Sequence, residues 1–282
     1  MLKKIQDINQ IHLDDYRLVV FDIDGTLIGR GRPLPDFTKI TLLRLRKHGL
    51  DFTLATGKTL PATQPLADDL EIDLPLILCN GALIQTRQRK ILDRTSLPLA
   101  VTREVTEICA RQNQDLVVYI DEGLYVRQLT ENMLPIYGDV ETGLHEVGDW
   151  EALGDRLALA NKCLAVDTRE QKKLAALEGD FLKAVGNRAD VLRSSEELLE
   201  VMPKDVTKAS GLLKLTDLLD IEMHEVMAFG DYDNDAAMLA AAGLGAAVEG
   251  ASQAAISNAD ILVGACDQEG PAKFLAEILN YL

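Results

Sequence analysis

Short apolar runs alternate with amphipathic segments in the first part of the chain. The run at residues 17–21 ends in four consecutive apolar residues, which is typical of a buried parallel strand. Asp36 is predicted to cap a helix that ends at Gly49. The predicted apolar face of this helix consists of Phe37, Ile40, Leu43 and Leu45.

The alternation of strands and helices continues along the chain and returns near its end. Further strands are predicted at residues 50–55 and 75–79, and later at 226–229 and near residues 246 and 261. Helices are predicted up to about residue 70, at 208–219 and from about 271. Strands that alternate with helices and end in polar or glycine-containing turns indicate a doubly wound, Rossmann-like α/β sheet. Such sheets bind ligands at the carboxyl ends of their strands.

The stretch between these two parts has a different pattern. Residues 116–120 and 124–129 form a predicted hairpin, and helical segments at 103–112 and 169–182 flank it. This pattern predicts a separate α+β unit of ordinary domain size. We therefore expect a core domain of residues 1–84 and 196–282, with an inserted α+β domain of residues 85–195.

The charge balance narrows the range of partners. The 282 residues include 45 acidic and 29 basic side chains, which gives a formal net charge of −16. Nucleic-acid backbones and anionic membrane surfaces repel so acidic a chain, and we expect neither as a partner. Since the sequence shows no secretory signal, no long apolar run and no paired-cysteine motif, we expect a cytoplasmic protein.

Two carboxylates follow the first predicted strand directly. Asp22 and Asp24 are separated by one residue, so in extended backbone both side chains point the same way. Two anions this close repel each other unless a cation or a proton lies between them. A divalent ion such as Mg²⁺ fits a site of few carboxylates plus a substrate phosphate. The structural alternative is an ordinary Asp-Gly turn.

A second acidic motif, residues 230–235, follows the predicted strand at 226–229. On its own it could be the acidic start of a helix, but two acidic clusters at strand ends of one sheet favour a shared site. The turn Thr56-Gly57 and the helix-starting Lys208 supply groups that can hold phosphate oxygens.

Taken together, these motifs resemble those of the haloacid dehalogenase-like (HAD) phosphohydrolases. The resemblance covers nearly the whole chain after Tyr16 and is to the Cof-like branch, which has a large α/β cap inserted in the core. Four segments carry it: Asp22-Ile-Asp-Gly-Thr-Leu27, Thr56-Gly57, Lys208 within Val-Thr-Lys-Ala-Ser, and Gly230-Asp-Tyr-Asp-Asn-Asp235. Asn80-Gly81-Ala82 also resembles the segment that leads toward the cap in this branch.

The resemblance implies a role for each motif residue. Asp22 would be the nucleophile that forms an aspartyl-phosphate, and Asp24 would be the general acid and base. Mg²⁺ would be held by the Asp22 carboxylate, the Asp24 backbone carbonyl and Asp231. The phosphate-binding residues would be Thr56, Gly57, Lys208 and Asn234. Asp235 would orient Lys208 or a metal-bound water.

The implied activity is Mg²⁺-dependent hydrolysis of a small phosphorylated metabolite, such as a sugar phosphate or a phosphorylated cofactor. The inserted domain would select the substrate. One departure is Lys58, which stands where this branch usually has an arginine that offers two parallel donors.

Three other functions remain open from the sequence. A phosphomutase or phosphotransferase would use the same aspartyl-phosphate, and a non-catalytic protein could bind the phosphometabolite without turnover. A signalling receiver domain also combines acidic residues with a threonine and a lysine, but receivers are about half this length and lack an inserted cap.

Overall fold

Short, fully buried apolar runs form the parallel strands of the predicted sheet. The computed structural model describes residues 11–29, 31–137 and 143–280. Leu18–Phe21 and Val226–Phe229 are inaccessible to solvent in it. Strands buried on both faces are typical of parallel sheets that have helices packed on each side.

The strands of the described residues are, in chain order, β1 Leu18–Phe21, β2 Asp51–Leu54, β3 Leu76–Leu78, β4 Leu83–Gln85, β5 Ile91–Arg94, β6 Asp115–Ile120, β7 Gly123–Val126, β8 Leu144–Glu146, β9 Ala160–Val166, β10 Ala189–Ser195, β11 Leu198–Pro203, β12 Val226–Gly230, β13 Leu244–Val248 and β14 Ile261–Val263. The α-helices are α1 Asp36–Lys47, α2 Leu60–Asp69, α3 Leu99–Gln112, α4 Leu134–Tyr137, α5 Gln171–Val185, α6 Lys208–Leu219, α7 Ala236–Ala241, α8 Gln253–Asn258 and α9 Gly270–Asn280. None of these helices combines the length and the apolar character needed to cross a membrane.

The chain divides into two compact units. The first contains the chain up to Gly57, Gln64–Ile91 and the residues from Thr207 onward, and the second contains Lys58–Thr63 and Leu92–Val206. The sequence-based domain boundaries stay a prediction. The later one, at residue 195, falls between β10 and β11, which pair as an antiparallel hairpin.

A five-stranded parallel sheet of order β14-β13-β12-β1-β2 forms the centre of the first unit. Phe21 and Phe229 stack at a ring-centroid distance of 4.9 Å, and Phe274 of α9 meets Phe229 edge-on. Ala228, the residue before Phe229, is paired with Gly245 of β13. A Cβ at Gly245 would overlap the backbone of Leu239 in α7. Because successive strand residues point to opposite faces, α9 and α7 cover opposite faces of the sheet. The predicted doubly wound α/β fold is confirmed.

The strand β3 lies beside the end of β2 and is joined to this sheet by a single β-bridge. Ala55, at the end of β2, forms a single parallel bridge with Ile77, and the Thr56 N–H donates to the Ile77 carbonyl at 2.8 Å. β3 then pairs antiparallel with β4. The segment after β2 and the segment after β3 are thereby held side by side.

The second unit is built on a six-stranded sheet of order β10-β11-β9-β6-β7-β8. Its strand pairs are antiparallel except for β7 and β8, which run parallel. One face of the sheet packs against α3, α5 and a 3-10 segment at Trp150–Leu159 to form an apolar core that includes Trp150 and Phe181. The predicted α+β cap pattern, with its hairpin at β6 and β7, is confirmed.

Of the four residues predicted for the apolar face of α1, only Leu45 is buried, and Asp36 is the first residue of the helix, not its cap. Phe37 and Ile40 are 43% and 57% exposed, whereas the buried positions are Thr38, Thr41, Leu42 and Leu45. Glu269 accepts hydrogen bonds from the Thr38 N–H at 3.0 Å and from the Thr38 hydroxyl at 2.8 Å. This tertiary contact fixes the rotation of the helix, and threonine methyl groups take part of the buried face.

The packing of the second unit can be tested with variants of two neighbouring residues of α5. Phe181 is fully buried, whereas Leu182 is 51% exposed. We expect Phe181→Ala to lower the free energy of unfolding by about 3–5 kcal/mol, because it removes a buried ring and leaves a cavity. Leu182→Ala is the matched control and should change it by about 0.5 kcal/mol or less. Urea denaturation measures both, and equal losses in the two variants would contradict this packing.

Candidate active site

The register of β1 and β12 places two acidic loops side by side. Phe21 and Phe229 are paired across the two strands, and the Asp22 N–H donates to the Phe229 carbonyl at 3.0 Å. Asp22 therefore leaves β1 beside the point where Gly230 ends β12 and Asp231 follows. This is the carboxyl edge of the sheet, where the fold favours ligand binding.

Lys208 enters the same place as the first residue of α6. Thr207 caps this helix by accepting a hydrogen bond from the Ser210 N–H, and the Ser210 hydroxyl accepts one from the Thr207 N–H. The capping box fixes the start of α6 and thus the position from which the Lys208 side chain extends.

An almost fully buried ion-pair network joins the lysine to two carboxylates. The Lys208 Nζ lies 2.5 Å from Asp22 Oδ1 and 2.6 Å from Asp235 Oδ1. The Lys208 side chain is 1% exposed, and that of Asp235 is inaccessible. Carboxylate oxygens of Asp22, Asp231 and Asp235 all lie within 4.8 Å of one another. The structure thus brings together three of the acidic residues predicted for the site.

The charges of this group do not balance. Burial raises the pKa of Asp22 well above its ordinary value against the opposing effect of Lys208, and Asp235 and Asp231 raise it further. Burial alone would lower the pKa of Lys208, but Asp22 and Asp235 outweigh it, so that this pKa is raised and the ammonium is retained. Three carboxyl groups therefore share one ammonium, which cannot neutralise all of them. A divalent cation with a preference for oxygen ligands fits this donor set in charge and in chemistry.

Backbone and hydroxyl donors orient the remaining carboxylate oxygens. Asp235 Oδ2 accepts hydrogen bonds from the N–H groups of Asp231 and Tyr232, each at 3.0 Å. Thr26 donates its hydroxyl to Asp231 Oδ1 at 2.8 Å. Asp235 therefore holds both Lys208 and the backbone of the loop that carries Asp231. The orienting role that the motif implies for Asp235 stays a prediction.

Three of the four predicted phosphate-binding residues lie around Asn80. The Asn80 N–H donates to the Thr56 carbonyl at 2.9 Å, and the Asn234 amide donates to Asn80 Oδ1 at 3.1 Å. A Cβ at Gly57 would lie 3.1 Å from the same Asn80 oxygen. Thr56, Gly57 and Asn234 are therefore neighbours, and Asn234 directly precedes the buried Asp235.

The carboxylate of Asp24 does not belong to the group of three. The expectation that it points the same way as Asp22 required extended backbone, but the chain turns here. The Ile23 carbonyl accepts hydrogen bonds from the N–H groups of Leu27 and Ile28, which makes the segment a turn. Asp24 is partly exposed beyond the buried Asp22. Its proposed contributions, a backbone carbonyl to the metal and an acid–base carboxyl, stay predictions.

Two residues of the site were not assigned a role from the sequence. Thr26 lies within the first motif, and its spacing from the aspartates gives no sign that it would contact Asp231, 205 positions later. Asn80 follows a predicted strand, as do the other site residues. Its position at the end of a strand was the one feature of the sequence that could have indicated Asn80 as a site residue.

The family of the chain follows from comparison with known proteins. Residues 19–275 match the family model for haloacid dehalogenase-like hydrolases, and the chain belongs to this family. It is 29% identical over 267 residues to an HMP-PP phosphatase of Citrobacter koseri, a match that covers 94% of this chain and 96% of the relative. The resemblance to Cof-like HAD phosphohydrolases is confirmed.

Solved structures share the fold over nearly the whole length. A haloacid dehalogenase-like hydrolase from Bacteroides thetaiotaomicron superposes with a TM-score of 0.84 at 26% identity, over 93% of this chain and 99% of that one. An HAD subclass IIB sugar phosphatase superposes with a TM-score of 0.77 over 93% of this chain and 98% of that one. At 22% identity, the second match supports the fold alone.

Asp235 and Asp233 lie in one 3-10 turn and provide a test of the charge network. Asp235→Asn would replace the buried carboxylate that faces Lys208, whereas Asp233 is exposed. We expect Asp235→Asn to lower the free energy of unfolding by about 3 kcal/mol, since it breaks a buried ion pair. Asp233→Asn should leave it within about 0.5 kcal/mol. Equal effects in urea denaturation would show that the network does not stabilise the core.

Proposed function

We propose that the protein is a Mg²⁺-dependent phosphatase that hydrolyses a small phosphorylated metabolite through an aspartyl-phosphate on Asp22. The observation that carries this proposal is the buried lysine that bridges Asp22 and Asp235 at the carboxyl edge of the sheet. Family membership and the named phosphatase relative support the same chemistry.

Asp22 is the nucleophile of the proposed reaction. Its carboxylate oxygen attacks phosphorus, the new O–P bond forms, and the bond from phosphorus to the leaving oxygen breaks. Water then attacks the aspartyl-phosphate, which releases inorganic phosphate and restores the carboxylate. Two steps of this kind replace a single, very slow hydrolysis. Lys208 keeps Asp22 in place through the contact at 2.5 Å.

Asp24 is the proposed general acid and base. Its carboxyl gives a proton to the leaving oxygen in the first step and takes a proton from the attacking water in the second. The side chain is less buried than that of Asp22, which leaves it accessible to a leaving group. Because the proton is returned, the residue ends the cycle in its initial state.

The phosphoryl oxygens would be bound by donors from three parts of the first unit. These donors are the Thr56 hydroxyl, the Gly57 N–H, the Lys208 ammonium and the Asn234 amide. Charged and neutral donors fixed before the reaction stabilise the charge that develops on the transferring group.

The residues that would hold Mg²⁺ are the Asp22 carboxylate, the Asp24 backbone carbonyl and Asp231. When bound, the ion would neutralise negative charge on the phosphoryl group and on the carboxylates around it. The acidic group supports this role, because its carboxylate oxygens lie within 4.8 Å of one another.

The substrate is proposed as a small phosphorylated metabolite in the cytoplasm. One relative is named for HMP-PP, which is a small phosphorylated compound. We assign the choice among leaving groups to the inserted α+β domain predicted at residues 85–195.

The test is phosphate release from a panel of phosphorylated metabolites by wild type and by Asp22→Asn. We expect wild type to release inorganic phosphate, EDTA to abolish the release, and added Mg²⁺ to restore it. Asp22→Asn removes the nucleophile with little change in size, so the rate should fall by at least about 10³-fold.

The control is Asp51→Asn, which changes an exposed carboxylate at the start of β2 and should retain wild-type activity. An isomeric phosphate ester in place of free phosphate would identify a mutase. Full activity of Asp22→Asn would contradict the mechanism. Binding of the compounds without turnover would indicate a non-catalytic protein.

A further inference from the structure

Three consecutive residues directly after β3 have left-handed backbone conformations. The φ angles of Cys79, Asn80 and Gly81 are 50°, 56° and 96°. Residues other than glycine seldom adopt positive φ, and a buried pair of them in succession is rarer still. Such conformations persist only where the surrounding structure determines them. Cys79 and Asn80 are both buried, so the turn is part of the packed interior.

The backbone of this turn packs against the start of α6. A Cβ at Gly81 would overlap the Thr207 carbonyl oxygen, and a Cβ at Gly211 would lie 2.8 Å from the Gly81 Cα. Two glycines thus allow the turn and the first turn of α6 to come within backbone contact. The position of Lys208 is coupled in this way to the position of the Cys79–Gly81 turn.

The side chain of Asn80 contacts two other parts of the site. Its Oδ1 accepts the hydrogen bond from Asn234 at 3.1 Å and lies against Gly57, where a Cβ would be 3.1 Å away. Its N–H donates to the Thr56 carbonyl. One residue therefore contacts both the turn after β2 and the loop after β12.

The choice of residue at position 80 is informative. Glycine adopts positive φ at lower cost than asparagine, so backbone geometry alone would favour glycine here. Asparagine keeps the left-handed conformation accessible and adds an amide, which is the group that meets Asn234 and Gly57. The presence of the amide at a strained position indicates that the amide itself is used.

We propose that Asn80 is a positioning residue for phosphate binding: its amide fixes the distance between Asn234 and the Thr56-Gly57 turn. This inference rests on the proposed function, in which those residues contact the phosphoryl oxygens. Donors that are held in place before the ligand arrives bind it more tightly, because less order is lost on binding.

The experiment measures binding of inorganic phosphate in the presence of Mg²⁺ by calorimetry, together with kcat and KM for a phosphate ester. Asn80→Gly keeps the backbone conformation and removes the amide. We expect the Kd for phosphate to rise about 3- to 10-fold, which corresponds to the loss of one hydrogen bond. Asn234→Ala should raise it similarly. The rise in Kd in the double variant should be smaller than the product of the two single effects, because Asn80 acts in part through Asn234.

The matched control is Asn113→Gly. Asn113 is also a left-handed asparagine, with φ 50° and ψ 43°, but it ends α3 in the second unit and is exposed. This variant has the same increase in unfolded-chain flexibility without the contact to Asn234. Its Kd for phosphate should equal that of wild type.

Three results would overturn the inference: wild-type Kd in Asn80→Gly, effects of Asn80→Gly and Asn234→Ala that multiply, or an equal loss in Asn113→Gly. The proposed function fails separately. If wild type binds phosphate but hydrolyses no ester, the phosphatase assignment is wrong, while the expected pattern of Kd values would still support the role of Asn80.

Discussion

Carboxyl groups that are buried close together need a positive charge or a proton beside them, and this requirement determines how the candidate active site is built. Asp22, Asp231 and Asp235 lie within 4.8 Å of one another, and Lys208 supplies one positive charge between two of them. An unpaired carboxylate in such a place is costly, so neither the lysine nor the buried aspartate can be lost without a penalty. Three carboxyl groups around one ammonium, with oxygens this close together, make the group suited to a divalent cation. In the proposed function, a bound cation would invert the field locally, so that an anionic substrate could approach this acidic protein.

The fold fixes the backbone positions from which the charged side chains of this cluster extend. Parallel pairing of β1 with β12 places Asp22 beside Asp231, and the capping box at Thr207 places Lys208. Close backbone contacts then lock α6 against the turn that follows β3. The distances in the site are consequences of sheet register and helix start, so a change in either would disperse the charges.

Much of this arrangement was predictable because it depends on local patterns. Strand ends followed by acidic turns identified Asp22 and Asp231, and a predicted helix start identified Lys208. The helix α6 begins and ends at the predicted residues. What could not be predicted depends on tertiary contacts. The rotation of α1 is set by Glu269, 231 positions from Thr38. The direction of Asp24 depends on a turn at Ile23, and the contacts of Asn80 depend on a left-handed turn that its sequence does not require.

The claim that the acidic group is a divalent-cation site is tested most directly by calorimetric titration of the wild-type protein and Asp231→Asn with Mg²⁺. Asp231 is the carboxylate of the three that does not contact Lys208 in the ion-pair network, so its loss leaves the two Lys208 contacts in place. We expect the wild-type chain to bind one Mg²⁺ and Asp231→Asn to bind it at least about 10-fold more weakly. Equal affinity in the two proteins, or no binding to wild type, would contradict it.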